Sequence, residues 1–254
     1  YTETENDLTV KANKRTFIFS KKDGQLKGVS VDNRKINFAN GPRFIGARRA
    51  DRSLDQFYNH DDEKAKEKDR TYSEFPDAAV FTKLDVKEDG GNLVVTANYK
   101  LGNLDKAQWT INPSGELALD YTYNFSGVVD LMGIRFDYPE DQVISKRWLG
   151  AGPYRVWQNR IHGTQYDVWE NDYNDPIPGE TFTYPEFKGY FGDVSWMNIQ
   201  TKEGTISLTN ETPDAYIGVY QPRDGRDRLL YTLPESGISV LNVIPPVRNK
   251  VNST

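Results

Sequence analysis

VFTKLDVKEDGGNLVVTANYKLGNLDKAQWTINPSGELALDYTY, residues 80–123, decides the fold. Val80, Thr82, Leu84 and Val86 alternate with Phe81, Lys83, Asp85 and Lys87. After Gly90-Gly91, the set Leu93, Val95, Ala97, Tyr99 and Leu101 alternates with Val94, Thr96, Asn98 and Lys100. Trp109 and Ile111 continue the theme up to a turn at Pro113-Ser114-Gly115. Leu117, Leu119, Tyr121 and Tyr123 then alternate with Glu116, Ala118, Asp120 and Thr122. A strand turns successive side chains to opposite faces, so each apolar set shares one face. Half-buried antiparallel strands of this kind stack as a sandwich. No segment carries a sustained helical stripe, and the expected fold class is all-β, a large antiparallel β-sandwich over residues 1–254.

The flanking sequence extends the pattern in both directions. Arg15 to Ser20 is β-rich and ends in Lys22-Asp23-Gly24, a hairpin turn. Gln25 to Val31 follows, with a second turn at Asp32-Asn33, so the start reads as a meander. Residues 43–76 interrupt it. This segment is arginine-rich (Arg43, Arg48, Arg49, Arg52) and then mixed in charge from Asp61 to Lys68, and it reads as a long surface excursion with room for one helical turn. Strands resume at Gly204 to Thr209, Ala215 to Tyr220, Leu229 to Leu233 and Gly237 to Ile244, where Pro245-Pro246 stops the last one.

Between these strands lies RWLGAGPYRVWQNRIHGTQYDVWENDYNDPIPGETFTYPEFKGYFGDVSW, residues 147–196. It holds four of the five tryptophans, Trp148, Trp157, Trp169 and Trp196, with carboxylates, glycines and prolines interleaved. Neither helical nor strand periodicity survives in its middle, so it reads as mostly loop. Long loops on a rigid scaffold are where function concentrates.

Composition narrows the chemistry. The 37 acids against 32 bases give a net charge of −5, and the basic residues form no stripe, so neither nucleic acid nor a membrane is expected as a partner. With no cysteine, disulfides, thiolate metal sites and a cysteine nucleophile are excluded. Only His60 and His162 are present, which argues against a multi-histidine metal site, and no cofactor motif is found. No apolar run reaches the roughly 18 residues of a membrane span. The chain starts at Tyr1 without a signal-like segment, as a processed periplasmic or secreted protein or a piece of a longer one would.

Aromatic rings beside amides, carboxylates and arginine suit carbohydrate. Flat rings cover the apolar face of a pyranose, and Asn, Glu and Arg bond its hydroxyls. Trp157, Asn159, Arg160, Trp169, Glu186 and Trp196 are the candidate carbohydrate-binding residues. The same rings could instead fill the space between two sheets or pack against a neighbouring domain. A glycosidase needs two carboxyls facing each other across a sugar, and spacing within a loop does not establish such a pair. No catalytic residue is assigned on that basis.

Trp148-Leu149-Gly150-Ala151-Gly152-Pro153, followed by Trp157, Asn159 and Arg160, resembles the W-L-G-x-G-P-x-E-x-Y-x-D-R signature in the C-terminal domain of family 2 β-galactosidases. Arg155, Trp157 and Asn159 stand where that signature has glutamate, tyrosine and aspartate. Further matches keep the family's order: Asn13 to Phe17 with Asp23-Gly24, then Arg49-Ala50-Asp51. Tyr184-Pro185-Glu186 with Gly189, Asp193 to Trp196, Glu235 to Gly237 and Leu241-Asn242 complete the set.

The resemblance implies a galactose mutarotase-like supersandwich at the end of a multidomain glycosidase. The preceding TIM barrel would carry both catalytic glutamates, and this domain would contribute to the active-site rim without performing the chemistry. Its partners would be carbohydrate and the other domains of that enzyme. Two other readings stay open: a free-standing carbohydrate-binding module, and a mutarotase-like enzyme using His162 and Glu186 for proton transfer.

Overall fold

A computed structural model describes residues 1–49, 72–173, 187–220 and 233–247. Among these residues the regular structure is antiparallel strand, apart from a 3-10 turn at Glu140–Gln142. The protein is all-β, as the alternation over 80–123 dictates. It divides into two compact units: Tyr1–Phe44, Pro76–Gly127 and Ile134–Pro139 in the first, and Ile45–Phe75, Val128–Gly133 and Glu140–Thr254 in the second.

In the first unit, β1 (Thr2–Glu3), β2 (Asp7–Ala12), β3 (Arg15–Ser20), β4 (Leu26–Val31) and β5 (Arg34–Ile36) form the expected meander. Asp32 and Asn33 make the β4–β5 turn, both with positive φ, a conformation that short polar side chains tolerate. The first residues of β6 (Ala39–Arg49) join this layer through Leu26 opposite Gly41.

A second sheet, made from the stretch that opened the sequence analysis, has the order β11-β10-β9-β8. Its strands are β8 (Val80–Asp89), β9 (Asn92–Lys100), β10 (Leu104–Ile111) and β11 (Leu117–Tyr123). Its register aligns Leu84, Ala97, Ala107 and Tyr121 in one row, and Val86, Val95, Trp109 and Leu119 in the next.

This apolar face meets the meander. The Trp109 ring lies 6.0 Å from Phe19 and 5.9 Å from Phe136 of β12 (Leu131–Asp137). Gly24, at φ +75°, sits so close that a Cβ there would be 2.8 Å from the Ala97 methyl. Burial of these rings and methyls supplies the hydrophobic driving force for stacking the two layers.

One detail of the alternation is corrected. The β8–β9 register shifts between Phe81 and Lys83, so Phe81, opposite Tyr99, joins Leu84 and Val86. Val80 and Thr82 are exposed instead. A bulge inserts one residue and reverses the facing of everything before it. Leu101, placed on the inner face by its spacing, is 73% exposed in a positive-φ turn.

In the second unit, β6 continues from Ile45 and pairs with β7 (Tyr72–Glu74). The Asp130 N–H donates to the Ala47 carbonyl (2.9 Å), and the Asp130 carboxylate accepts from the Arg49 N–H (2.9 Å). A four-stranded sheet runs β14-β13-β15-β16. It contains β13 (Val143–Gly152), β14 (Gln165–Asp172), β15 (Trp196–Thr201) and β16 (Gly204–Thr209). β17 (Tyr216–Val219) pairs with β18 (Ile238–Val243), and Gly133 of β12 packs against β18, where a Cβ would lie 2.7 Å from the Leu241 Cα. Phe191 joins the two layers of this unit: its backbone bridges Ile217 and its ring lies 4.9 Å from Trp148.

Two loop readings change. Arg43 to Arg49 is not a surface excursion but part of β6, with Phe44, Ile45 and Ala47 buried. Its arginines broke the apparent pattern, while every intervening apolar residue is core. The remainder, 50–71, lies outside the described residues, as does most of the Leu229 to Leu233 strand. Gln165 to Asp172, read as loop, is the edge strand β14. Both faces of this edge are largely solvated, so it never shows the apolar-polar alternation of a half-buried strand.

Trp109→Ala should destabilise the protein by about 3–5 kcal/mol, because it empties the centre of the first unit. Urea unfolding followed by circular dichroism measures this. Alkaline pH should destabilise it too. Burial raises the phenol pKa values of Tyr99, Tyr121 (to about 12), Tyr123, Tyr190 and Tyr216 in the folded state. The unfolded chain therefore releases these protons first. The stability they contribute is whole below about pH 10 and drains as pH rises through the raised folded values. Comparing urea midpoints at pH 8 and 11 should show a smaller loss in Tyr121→Phe than in the unaltered chain.

Candidate functional site

The site is built outward from Trp148. This residue is fully buried on β13, paired with Trp169 on one side and Met197 on the other, and its indole N–H donates to the Ala151 carbonyl at 3.0 Å. The glycines of Trp148-Leu149-Gly150-Ala151-Gly152 have physical reasons. A Cβ at Gly150 would lie 3.0 Å from the backbone of residues 192–194, which crosses over it. A Cβ at Gly152 would clash with the Trp169 ring, 2.6 Å from its Cγ. The Trp169 indole N–H donates to the Gly150 and Gln165 carbonyls at 3.2 and 3.3 Å. Two missing methyls thus let one backbone and one indole settle on β13.

Beyond Gly152 the chain leaves the sheet and makes a tight turn from Trp157 to Arg160. The Arg160 N–H donates to the Trp157 carbonyl at 2.8 Å, and a weaker reverse bond closes the pair. Trp157 anchors this turn: it is 1% exposed, packs edge-on against Tyr190 at 5.7 Å, and belongs to a core with Ile45, Ala47, Leu131 and Leu241. Val156 and Tyr190 exchange backbone hydrogen bonds at 2.7 and 2.8 Å. That exchange requires Gly189, where a Cβ would lie 2.5 Å from the Val156 carbonyl carbon and closer still to its oxygen. On the other side, Gln158 N–H donates to Pro245 (3.1 Å), and the Asn159 side-chain oxygen accepts from the Val247 N–H (3.0 Å). Gln158, Asn159 and Arg160 are exposed on a turn held from three directions.

The candidate residues are therefore distributed. Trp157 is core, and its ring offers no face to a ligand. Asn159 and Arg160 share the exposed turn that Trp157 holds. Trp169 is half-buried on the side of the sheet that Trp148 occupies. Trp196, also half-buried, pairs with Leu149 and so lies on the opposite side of the same sheet. Glu186 lies outside the described residues, and His162, nominated as its acid-base partner, is exposed.

Two cations that sequence reasoning passed over are buried here. Lys146, one turn of the pleat from Trp148, places its ammonium 5.1 Å from the centre of the Tyr173 ring and 5.8 Å from that of Phe191, and donates to the Asp172 carbonyl. Arg155, where the signature has glutamate, is buried with its guanidinium 5.8 Å from the Phe191 ring centre. Cation–π attraction and hydrogen bonding offset part of the cost of burying such charges. Arg155 stands between Tyr154 and Val156 and departs from the signature, whereas Lys146, between Ser145 and Arg147, gave no local signal.

A family model for the beta galactosidase small chain matches residues 11–240. The chain belongs to that family. The resemblance carried by the Trp148 to Pro153 signature is thereby shown, and the protein is a glycoside-hydrolase-associated domain. No curated protein matches the chain. The signature's glycines, Gly150 and Gly152, are the ones that admit the crossing backbone and Trp169, so they have a packing explanation in this member.

Gly189→Ala should destabilise the protein by about 2–4 kcal/mol, since the new methyl meets backbone that cannot swing aside. Gly204→Ala, where nothing lies within 4 Å of the added Cβ but φ is +135°, tests backbone strain without a clash. Thermal unfolding of both variants should rank Gly189→Ala as the more damaging.

Proposed function

We propose that the chain, as a single domain over residues 1–254, is the C-terminal β-sandwich part of a family-2-like glycoside hydrolase, non-catalytic by itself. It contributes carbohydrate contacts at the rim of an active site whose chemistry belongs to a TIM barrel. The observation that carries this reading is the Trp157–Arg160 turn. Its ring is locked in the core while Gln158, Asn159 and Arg160 face solvent, so polar groups are presented on a rigid support. Preorganised donors of this kind lose little conformational entropy when they bond a sugar hydroxyl. Family membership supports the link to a glycosidase. Trp169 and Trp196, each half-buried with part of the ring accessible, are the stacking surfaces in this reading. Glu186 completes the proposed set.

The chain alone supplies only part of a pocket, so galactose and lactose should bind weakly, near millimolar, or about −4 kcal/mol. NMR titration of the labelled chain with both sugars should shift resonances of Asn159 and Arg160, and Arg160→Ala should weaken binding about tenfold, or ~1.4 kcal/mol. Nitrophenyl β-galactoside should not be hydrolysed above the buffer rate. An absence of shifts with either sugar would show that these residues serve packing or domain docking instead.

A further inference from the structure

The four-stranded sheet of the second unit ends in two edges of different character. β14 carries Asp167, Glu170 and Asp172. In the first unit, the edge strand β8 carries Lys83, Asp85, Lys87, Glu88 and Asp89, and β11 carries Asp120 at its centre. Charges on an edge oppose pairing with another strand. β16, Gly204-Thr205-Ile206-Ser207-Leu208-Thr209, has no charge and no proline. Gly204, Thr205, Ser207 and Thr209 are exposed, and among the described residues no strand pairs with β16 on the side away from β15.

The backbone parity of β16 follows from its ladder. The Asn210 N–H donates to the Ser195 carbonyl at 2.9 Å, continuing the register in which Thr209 opposes Trp196 and Gly204 opposes Thr201. Residues 204, 206 and 208 therefore direct their backbone groups toward β15, and residues 205, 207 and 209 direct theirs outward. Among the described residues, no backbone hydrogen bond outside the ladders involves Thr205, Ser207 or Thr209.

We propose that β16 is a self-association edge, pairing antiparallel with β16 of a second copy about a two-fold axis at Ile206. This register keeps both faces consistent, because residues of like parity oppose each other. Thr205 faces Ser207 in two hydrogen-bonded pairs, hydroxyl beside hydroxyl, and Ile206 faces its own copy in a non-hydrogen-bonded pair. Gly204 faces Leu208, which leaves room for the leucine. The two four-stranded sheets would become one continuous sheet of eight.

Three measurements on the full chain test this. Sedimentation or light scattering should give twice the chain mass of 29.1 kDa at high micromolar concentration. Ser207→Pro removes an outward N–H and leaves the β15 ladder intact, so it should yield a folded monomer with an unchanged circular dichroism spectrum. The chain has no cysteine, so Ile206→Cys introduces the sole thiol. A non-hydrogen-bonded pair holds opposing Cα atoms about 4.5 Å apart, within disulfide range. Ile206→Cys should therefore cross-link on mild oxidation at least tenfold faster than Thr205→Cys, which faces Ser207. A monomeric unaltered chain, a folded Ser207→Pro dimer, or equal cross-linking of the two cysteine variants would each overturn the proposal.

Discussion

Gly189 lies against the carbonyl of Val156 more closely than any side-chain-bearing residue could. That approach permits the paired hydrogen bonds between Val156 and Tyr190. The bonds set Trp157 edge-on to Tyr190 within a core that includes β6, β12 and β18. The position of Trp157 in turn decides where Gln158, Asn159 and Arg160 stand. A single absent methyl is thus linked, through one backbone bridge and one buried indole, to the exposed polar turn on which the functional reading depends. Gly150 and Gly152 play the same part for Trp169 and for the backbone at 192–194. Close backbone approach, more than hydrophobicity alone, gives this region a defined geometry.

The aromatic residues serve two purposes that their side-chain chemistry does not separate. Trp109, Trp148 and Trp157 are buried and hold layers together, while Trp169 and Trp196 keep part of their rings accessible. The pleat of one sheet sends Trp169 and Trp196 to opposite sides, so they cannot stack on the same face of one sugar. Any glycan contact that uses both would need a ligand reaching around the sheet edge or two separate contacts. The buried cations Lys146 and Arg155 flank the same Phe191 ring. Ring faces attract cations through their quadrupole, which fits the crowding of aromatics around these two charges. The polar load of the region is therefore divided between interior charges packed against rings and exposed groups on the Trp157–Arg160 turn.

The sequence by itself determined the fold class. In β8 to β11 alternation follows directly from the two-residue period of a strand with one face buried. The glycine-bearing turns at Gly24, Gly90-Gly91 and Gly115 were equally legible, because positive φ is a local demand. The family was legible too, since its signature records local packing needs in a fixed order. Tertiary structure alone decided the rest. A bulge at Phe81–Lys83 reversed the facing of Val80 and Thr82, and nothing local announces an inserted residue. β14 was hidden because an edge strand with two wet faces has no apolar period. Trp157 and Trp196 look alike in sequence, yet one is core and the other half-exposed. Burial of a ring is set by what the rest of the chain places against it, here Tyr190 held by Gly189, and that depends on long-range contacts rather than on the residue or its neighbours.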